Sequence, residues 1–412
     1  MHRKSITFVI LIACFTTTSM DAQSGKSNWA RWGGPDSNMI SKESDWDTDW
    51  KNNPPEKLWS TQIGTGFSSV SIVDGKLYTM GREGRDNDAV YCLNADTGKE
   101  IWRHTYKASL SNNMHEGGPG TTPTVADGKV FTLSRGGRAL GLDAATGKVI
   151  WDVETRELTG ARRPTWGFTS SALVVGEKVI FDVGRILALD AKTGKEIWKS
   201  SKQYAGYGSV VPFKHEDKLM LAALTNEALH VVDPSNGKTI AKTKWKTQFN
   251  TSSTSPMIHG DQFFISTGYR RGCAMYRFKG GEFEKLFENN SLANHMNNSV
   301  RFQGHIYGVH GNSHNRRNCT LVCLDAKTGK RQWSERGMGC GSLLIAGDHL
   351  IVLADKGELI CAKVSPNGFK PTGKVQAVKG KCWTVPVLLN RKIYCRTARG
   401  ELACWQLKSS KQ

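Results

Sequence analysis

The chain has 412 residues, with 56 Lys and Arg against 37 Asp and Glu, giving a formal net charge of +19 and a pI of about 9.5. That length allows one large domain, and the charge favours anionic partners such as glycans, lipopolysaccharide or acidic protein surfaces. The longest apolar run lies near the N-terminus and is too short to cross a bilayer as a stable helix; no other segment approaches it, which excludes a helical membrane protein.

The chain opens with M-H-R-K and then S-I-T-F-V-I-L-I-A-C-F, a basic start and a short apolar core that read as an export signal over residues 1–22. L-I-A-C, Leu11 to Cys14, fits a bacterial lipobox, which would make Cys14 a lipid-bearing first residue and a point of membrane attachment. Cleavage after Ala22 is the alternative, and either places the mature chain in the periplasm or cell envelope. Residues 23–55 read as a strap ahead of the main domain. K-L-W, ending at Trp59, has the form of a strand that precedes the first complete repeat.

From Glu56 onward the chain is repetitive, so the repeat is settled before anything else. The phrase A-L-D-A-K-T-G-K-E-I-W ends at Trp198 and returns in related spellings ending at Trp102, Trp151 and Trp333. The gap from Trp198 to Trp333 is three periods of 45, so two degenerate copies lie inside it. Val231 to Ala241 fits the first, with Ala241 in the tryptophan's place, and Lys279 to Phe287 retains little of the second. A tight turn between two apolar stretches gives a separate count. Its closing residues are Lys76, Lys129, Lys178, Lys218, Gln262, His305, His349 and Lys392, which makes eight copies.

Each copy reads as four short strands with period-two alternation. Radial repetition of four-stranded sheets is a β-propeller. The phrase suits a blade: Asp143, Asp190 and Asp325 can cap the turn through backbone amides and the Gly supplies positive φ. The Trp then has roughly 150 to 250 Å² to bury between blades. The last copy stops after three strands, so the segment around Trp59 is expected to complete it and close the ring. The expected fold is all-β, an eight-bladed propeller of four-stranded antiparallel blades over residues 56–412.

The A-x-D-x-x-T-G-K-x-x-W phrase resembles the tryptophan-docking motif of the pyrroloquinoline quinone (PQQ)-like propeller repeat family, over roughly Glu56 to the C-terminus. The leader W-A-R-W-G-G-P-D-S-N-M-I-S, Trp29 to Ser41, is similar to the segment that precedes such propellers. The family includes quinoprotein dehydrogenases and outer-membrane assembly lipoproteins of the BamB type, so the resemblance implies the fold without choosing an activity.

Nine cysteines remain apart from Cys14, an odd number that cannot all pair. Cys92 and Cys323 take the first position of the docking phrase, and Cys361 and Cys404 similar positions, where a small buried residue is expected to face the docking Trp. Cys319 and Cys323 lie roughly 13 Å apart along one strand, too far to bridge.

The tight turns put lysines on one face, recurring with the repeat as solvated turns do. The opposite face takes the irregular loops, with Arg82, Arg85, Arg135, Arg138, Arg270, Arg271, Arg316, Arg317, Arg396 and Arg399, joined by Arg162 and Arg163. Arginine suits two-pronged recognition of carboxylate, sulfate or phosphate, and irregular loops on a rigid scaffold are where binding usually lies. Residues just before each innermost strand should ring the axis there: His115 and Glu116, Arg163 and Trp166, Tyr207, Asn250, His295 with Asn297 and Asn298, Cys340, and Lys381 with Trp383.

The quinoprotein resemblance implies PQQ stacked between a tryptophan and a disulfide of adjacent cysteines, Ca²⁺ held by Glu and Asn, and an Asp base. No Cys-Cys pair occurs here, Trp166 or Trp383 could stack, and Glu116, Asn250 and Asn297 could hold a hard cation. Asp182 is the nearest candidate base and reads better as a strand end. No G-x-S-x-G or H-E-x-x-H is present, and His310 and His314 share a loop that does not fix metal geometry. The reading is therefore an exported, monomeric, non-catalytic propeller that binds a partner protein or anionic glycan through its arginine-bearing face, with no metal, no cofactor and no nucleic acid. The alternative is a PQQ-dependent dehydrogenase with PQQ and Ca²⁺ at the axis.

Overall fold

The computed structural model describes residues 28–410, so the export signal, Cys14 and the start of the strap lie outside the described residues. Eight four-stranded antiparallel sheets follow in chain order, each counted from its innermost strand outward. Blades 1 to 7 occupy residues 71–107, 124–154, 173–199, 211–244, 257–289, 300–335 and 342–376. Blade 8 has its first three strands within 387–406 and its outermost from the other end of the chain, Glu56–Gln62, where Trp59 pairs with Cys404 and Gln62 with Glu401. The ring is closed as the K-L-W segment indicated, and no blade is left three-stranded.

The docking phrase works through two local devices. The Asp190 carboxylate accepts the backbone amides of Lys192 and Thr193 at 3.1 and 2.7 Å and the Thr193 hydroxyl at 2.7 Å, tying the turn; Asp143 and Asp325 do the same. Those bonds hold the three carboxyls below the ordinary aspartate range, with the threonine hydroxyl contributing most. In five blades this turn receives the tryptophan of the preceding blade. The indoles of Trp59, Trp102, Trp151, Trp198 and Trp333 donate to carbonyls of Ala95, Ala144, Ala191, Pro234 and Ser365 at 2.8 to 3.1 Å. The motif glycine is required at the contact. A Cβ on Gly147 would lie 2.5 Å from the Trp102 ring, and the φ of +72° is one that side chains avoid.

The residue before each docking position is a β-bulge, which turns the Trp inward and leaves its neighbour outward. Leu58, Ile101, Ile150, Ile197 and Ile240 are skipped by the ladder and half-exposed for this reason. Cys92, Cys323 and Cys404 do face Trp102, Trp333 and Trp59 across the ladder. Cys361 departs from the expectation: it pairs with Gly373, over which Trp50 of the strap is laid, with its backbone 2.5 Å from where a Cβ would stand. Trp50 is 2% exposed, so the strap supplies the aromatic that the blade lacks.

Blade 5 shows why its motif decayed. Its last two strands are joined by the tight turn Gly280–Gly281, whose positive φ values leave no T-G-K platform for a tryptophan at Ala241. Edge-to-face phenylalanines fill the gap between blades 4 and 5 instead, with Phe213 and Phe263 at 4.9 Å and Phe278 at 6.0 Å from both. Phe287 and Asn289 take the docking role toward blade 6, against Gly329.

The strap crosses the tight-turn face. Trp29 bridges Ile72, the Ala30 carbonyl accepts from Val125, and Ile40–Ser41 adds a parallel strand inside blade 7 at Ile345–Ala346. These partners are the tight-turn ends of innermost strands, so Trp32, between them, reaches the axis from below.

Candidate functional site

Around the axis the innermost strands are linked by a chain of hydroxyls. The amides of Ser69, Thr122, Ser171 and Ser209 donate to the side chains of Thr122, Ser171, Ser209 and Ser255 at 2.9 to 3.1 Å, and the Ser255 amide donates to Asn298. Blades 2 to 6 each satisfy a buried amide of the preceding blade, which ties their innermost strands together around the axis. Above this ring, on the irregular-loop face, lies a cavity of about 470 Å³ with Trp32 as part of its floor.

The cavity gathers eight of the candidate residues: His115, Trp166, Tyr207, His295, Asn297, Arg316, Lys381 and Trp383. Aromatic pairs form its walls. Phe67 stacks on Trp383 at 5.5 Å and meets His115 edge-on, Trp166 meets Tyr207 at 5.9 Å, and Tyr269 lies between His295 and His314 at 5.0 and 5.8 Å. Lys381 stands 4.4 Å over the Trp383 ring and pairs with Glu116 at 2.9 Å. Burial opposes charge on Glu116, but the Lys381 ammonium outweighs it and keeps the carboxyl below its ordinary range. Burial brings the imidazoles of His115 and His295 down to about 4, so both are neutral near pH 7, accepting amides of Gly117 and Ser313.

The other candidates stand outside the lining. Glu116 lies behind Lys381, Asn250 is exposed on a turn with φ +53°, and Arg162, Arg163 and Arg317 are exposed on the rim, Arg163 bonding the Ser111 hydroxyl at 2.9 Å. Cys340 is buried beneath the surface, and Asn298 belongs to the hydroxyl chain. Asp182 ends a strand: its carboxylate accepts the amides of Gly184 and Gly206 at 3.2 and 2.9 Å and is not part of the lining.

The arginine field is thinner than the loops suggested. Arg396 is 1% exposed and donates to the carbonyls of Ser68, Met80 and Gly64 at 2.8 to 3.1 Å, joining blade 8 to blade 1. Arg135 is likewise buried on the Gly118 and Trp166 carbonyls, though it borders the cavity. Arg82 pairs with Asp88, Arg138 with Asp152, and Arg271 with Glu288 while covering the Trp245 ring at 3.5 Å. Arg85, Arg162, Arg163, Arg270, Arg316, Arg317 and Arg399 stay exposed.

Several lining residues were passed over. Phe67 follows from the axial rule once it is applied to G-T-G-F-S-S, Tyr269 lies in a loop read only for its arginines, and His314 is weighed only as a metal ligand beside His310. Trp32 had no signal, because nothing local says which face the strap crosses. No cluster of three His, Cys, Asp or Glu suited to a metal occurs among the described residues, and His310 is spent on the Ala293 amide at 3.1 Å.

The blades and axial funnel define the PQQ-like class of eight-bladed propeller. The family model described as "Outer membrane protein assembly factor BamB" matches residues 16–210 and 200–335, and the chain belongs to that family. A BamB of Xanthomonas campestris is 30% identical over 107 residues, which are 23% of this chain and 24% of that protein; the chain thus matches about a quarter of that relative's length. BamB from Moraxella catarrhalis superposes with a TM-score of 0.64 at 16% identity, covering 86% of this chain and all of that one. A europium-containing methanol dehydrogenase gives 0.74 at 12% identity over 92% and 98% of the two chains. A quinohemoprotein alcohol dehydrogenase from Comamonas testosteroni gives 0.71 at 14% over 92% and 80%. Identities this low carry the fold alone.

Proposed function

We propose that the chain is an exported, monomeric, non-catalytic propeller that receives an acidic segment of a partner protein on its irregular-loop face. One observation carries the reading: exposed arginines surround a cavity whose lining, among the described residues, holds Arg135, Arg316 and Lys381 and no carboxylate, the partners Asp355 of Arg316 at 3.9 Å and Glu116 of Lys381 at 2.9 Å lying outside it. Such a surface attracts anions and can hold a carboxylate with two-pronged arginine bonds. That a relative is named an assembly factor of outer-membrane proteins favours a protein over an anionic glycan, which shares the same charge chemistry.

Two of the three candidate cation ligands are badly placed for a calcium-bound quinone, while Asn297 and Trp166 remain in the lining. Calcium takes six to eight oxygens, usually with carboxylates; here Glu116 is held by Lys381, and Asn250 lies outside the lining. Trp383 has one face against Phe67 and Lys381 over its ring. Thermal unfolding of the mature chain with polyglutamate, with sulfated or uronic glycans, and with PQQ plus Ca²⁺ tests the reading, since a ligand of the folded state raises the midpoint. Polyglutamate should raise it, with the effect lost at high salt. A shift with glycans alone would move the assignment to an anionic polymer, and a shift with PQQ and calcium alone would overturn it.

A further inference from the structure

Among the described residues, the large hydrophobic side chains that solvent reaches most are Met114, Tyr204 and Phe249, at 80%, 67% and 52% exposure. Each stands on a blade-to-blade connection of the irregular-loop face. The half-exposed Leu58 and Ile101 of the outermost strands follow from bulges, and these three do not. Met114 lines the cavity with a φ of +63°, which side chains rarely adopt. Its loop is pinned by the Trp166 indole on the Asn113 carbonyl at 3.2 Å and by the Gly118 amide on the Leu110 carbonyl at 3.0 Å. Phe249 packs edge-on against Tyr269 of the lining at 4.8 Å.

The polar groups of the lining are chiefly donors. Ser171, Ser209 and Ser255 line it, each more than nine-tenths buried, and each hydroxyl accepts an amide of the preceding blade. None of the three donates its own proton to a group among the described residues. The imidazoles of His115 and His295 accept amides at Nδ1, which puts the proton of each neutral ring on Nε2, again with no partner among the described residues. Buried donors left in this state favour a ligand that brings an acceptor.

We propose that the docking segment is anchored by a tyrosine that enters the funnel beside Met114, its ring against the aromatic walls and its phenol oxygen accepting from the serine hydroxyls, while flanking carboxylates meet the rim arginines. This rests on the docking reading and names what the segment must contain. A ring with a polar tip suits aromatic walls that meet hydroxyls, and a cavity of about 470 Å³ is of ligand-pocket size. Phenylalanine would bring no acceptor, and an indole N–H would set a donor against donors. An aromatic side chain seated in a pocket inside a charged rim is also where protein interfaces concentrate their binding energy. The exposed Met114 and Phe249 would then be covered by the backbone on either side of the anchor.

The test is calorimetric titration of the mature chain at low salt with glutamate-rich peptides of one length that differ only at a central tyrosine, phenylalanine or alanine. The tyrosine peptide should bind at least tenfold tighter than the alanine peptide, with phenylalanine between them. Ser255→Ala should bring the tyrosine peptide down to the phenylalanine value and leave the other two peptides unchanged. Because that change also unpairs the Ser209 amide, Met114→Ser at the exposed mouth is the second variant, and it should weaken both aromatic peptides at least threefold and the alanine peptide not at all. Equal affinity of the three peptides would overturn the anchor while leaving the acidic docking reading in place, whereas binding by none would overturn that reading and the anchor with it. A tyrosine advantage untouched by both variants would overturn its placement in the funnel.

Discussion

Arg396 shows how far a side chain's task depends on what surrounds it. In sequence it belongs to an arginine-bearing loop; in the fold it is a buried cation whose donors satisfy carbonyls of the neighbouring blade. Burial brings its guanidinium down to about 9, and it stays charged near neutral pH. Arg396→Met should leave those carbonyls unpaired and lower stability by about 3 kcal/mol or more, whereas Arg317→Met on the exposed rim should change it by less than about 0.5 kcal/mol; chemical denaturation separates the two. Buried titrating groups set opposing pH limbs. Burial raises Asp182 to about 7, so the folded state holds that proton where the unfolded chain has lost it, and stability falls as pH rises toward 7. His230 goes down to about 4, so the unfolded chain binds the proton first and stability falls as pH drops below 6.5. The parent should therefore lose midpoint relative to Asp182→Asn as pH rises from about 4 to 7, and relative to His230→Gln as pH falls from about 6.5 to 4. The site was legible where a rule was local: of the residues before innermost strands, His115, Trp166, Tyr207, His295, Asn297, Lys381 and Trp383 line the funnel, while Asn250 and Cys340 do not. It was illegible where burial decides, because a loop arginine and a strand-end arginine are spelled alike.

The blade is legible in sequence because its docking phrase is self-contained, with cap, glycine and tryptophan inside eleven residues. Trp198→Ala should cost about 3 to 5 kcal/mol, the range for emptying a large aromatic site. Phe278→Ala should cost a similar amount, since phenylalanines replace the docking indole between blades 4 and 5. Ala241→Trp should give no gain in midpoint, because the Gly280–Gly281 turn offers the ring no platform; a gain would show that drift, and not turn geometry, removed the motif. Contacts between elements far apart in sequence carried no such phrase. The hydroxyl chain and the placement of Trp50 over Gly373 depend on which strands lie side by side around the ring.

At the scale of the whole molecule, closure and the two faces define what the protein can do. Removing residues 56–62 would strip the outermost strand from blade 8 and expose the edge carrying Ala403 and Cys404, so the truncated chain should aggregate or unfold cooperatively at a lower midpoint. The strap crosses the tight-turn side and places Trp32 in the cavity lining, and the funnel lies toward the irregular-loop face. Docking should therefore be decided by which face carries the cations. The most direct measurement is polyglutamate affinity at low salt for two variants of equal charge change: Arg162, Arg163, Arg316 and Arg317 to Glu on the rim, and Lys129, Lys178, Lys195 and Lys238 to Glu at the tight turns. A loss of at least tenfold confined to the rim variant is the predicted result, and equal losses in both would reduce the attraction to net charge and contradict a binding face.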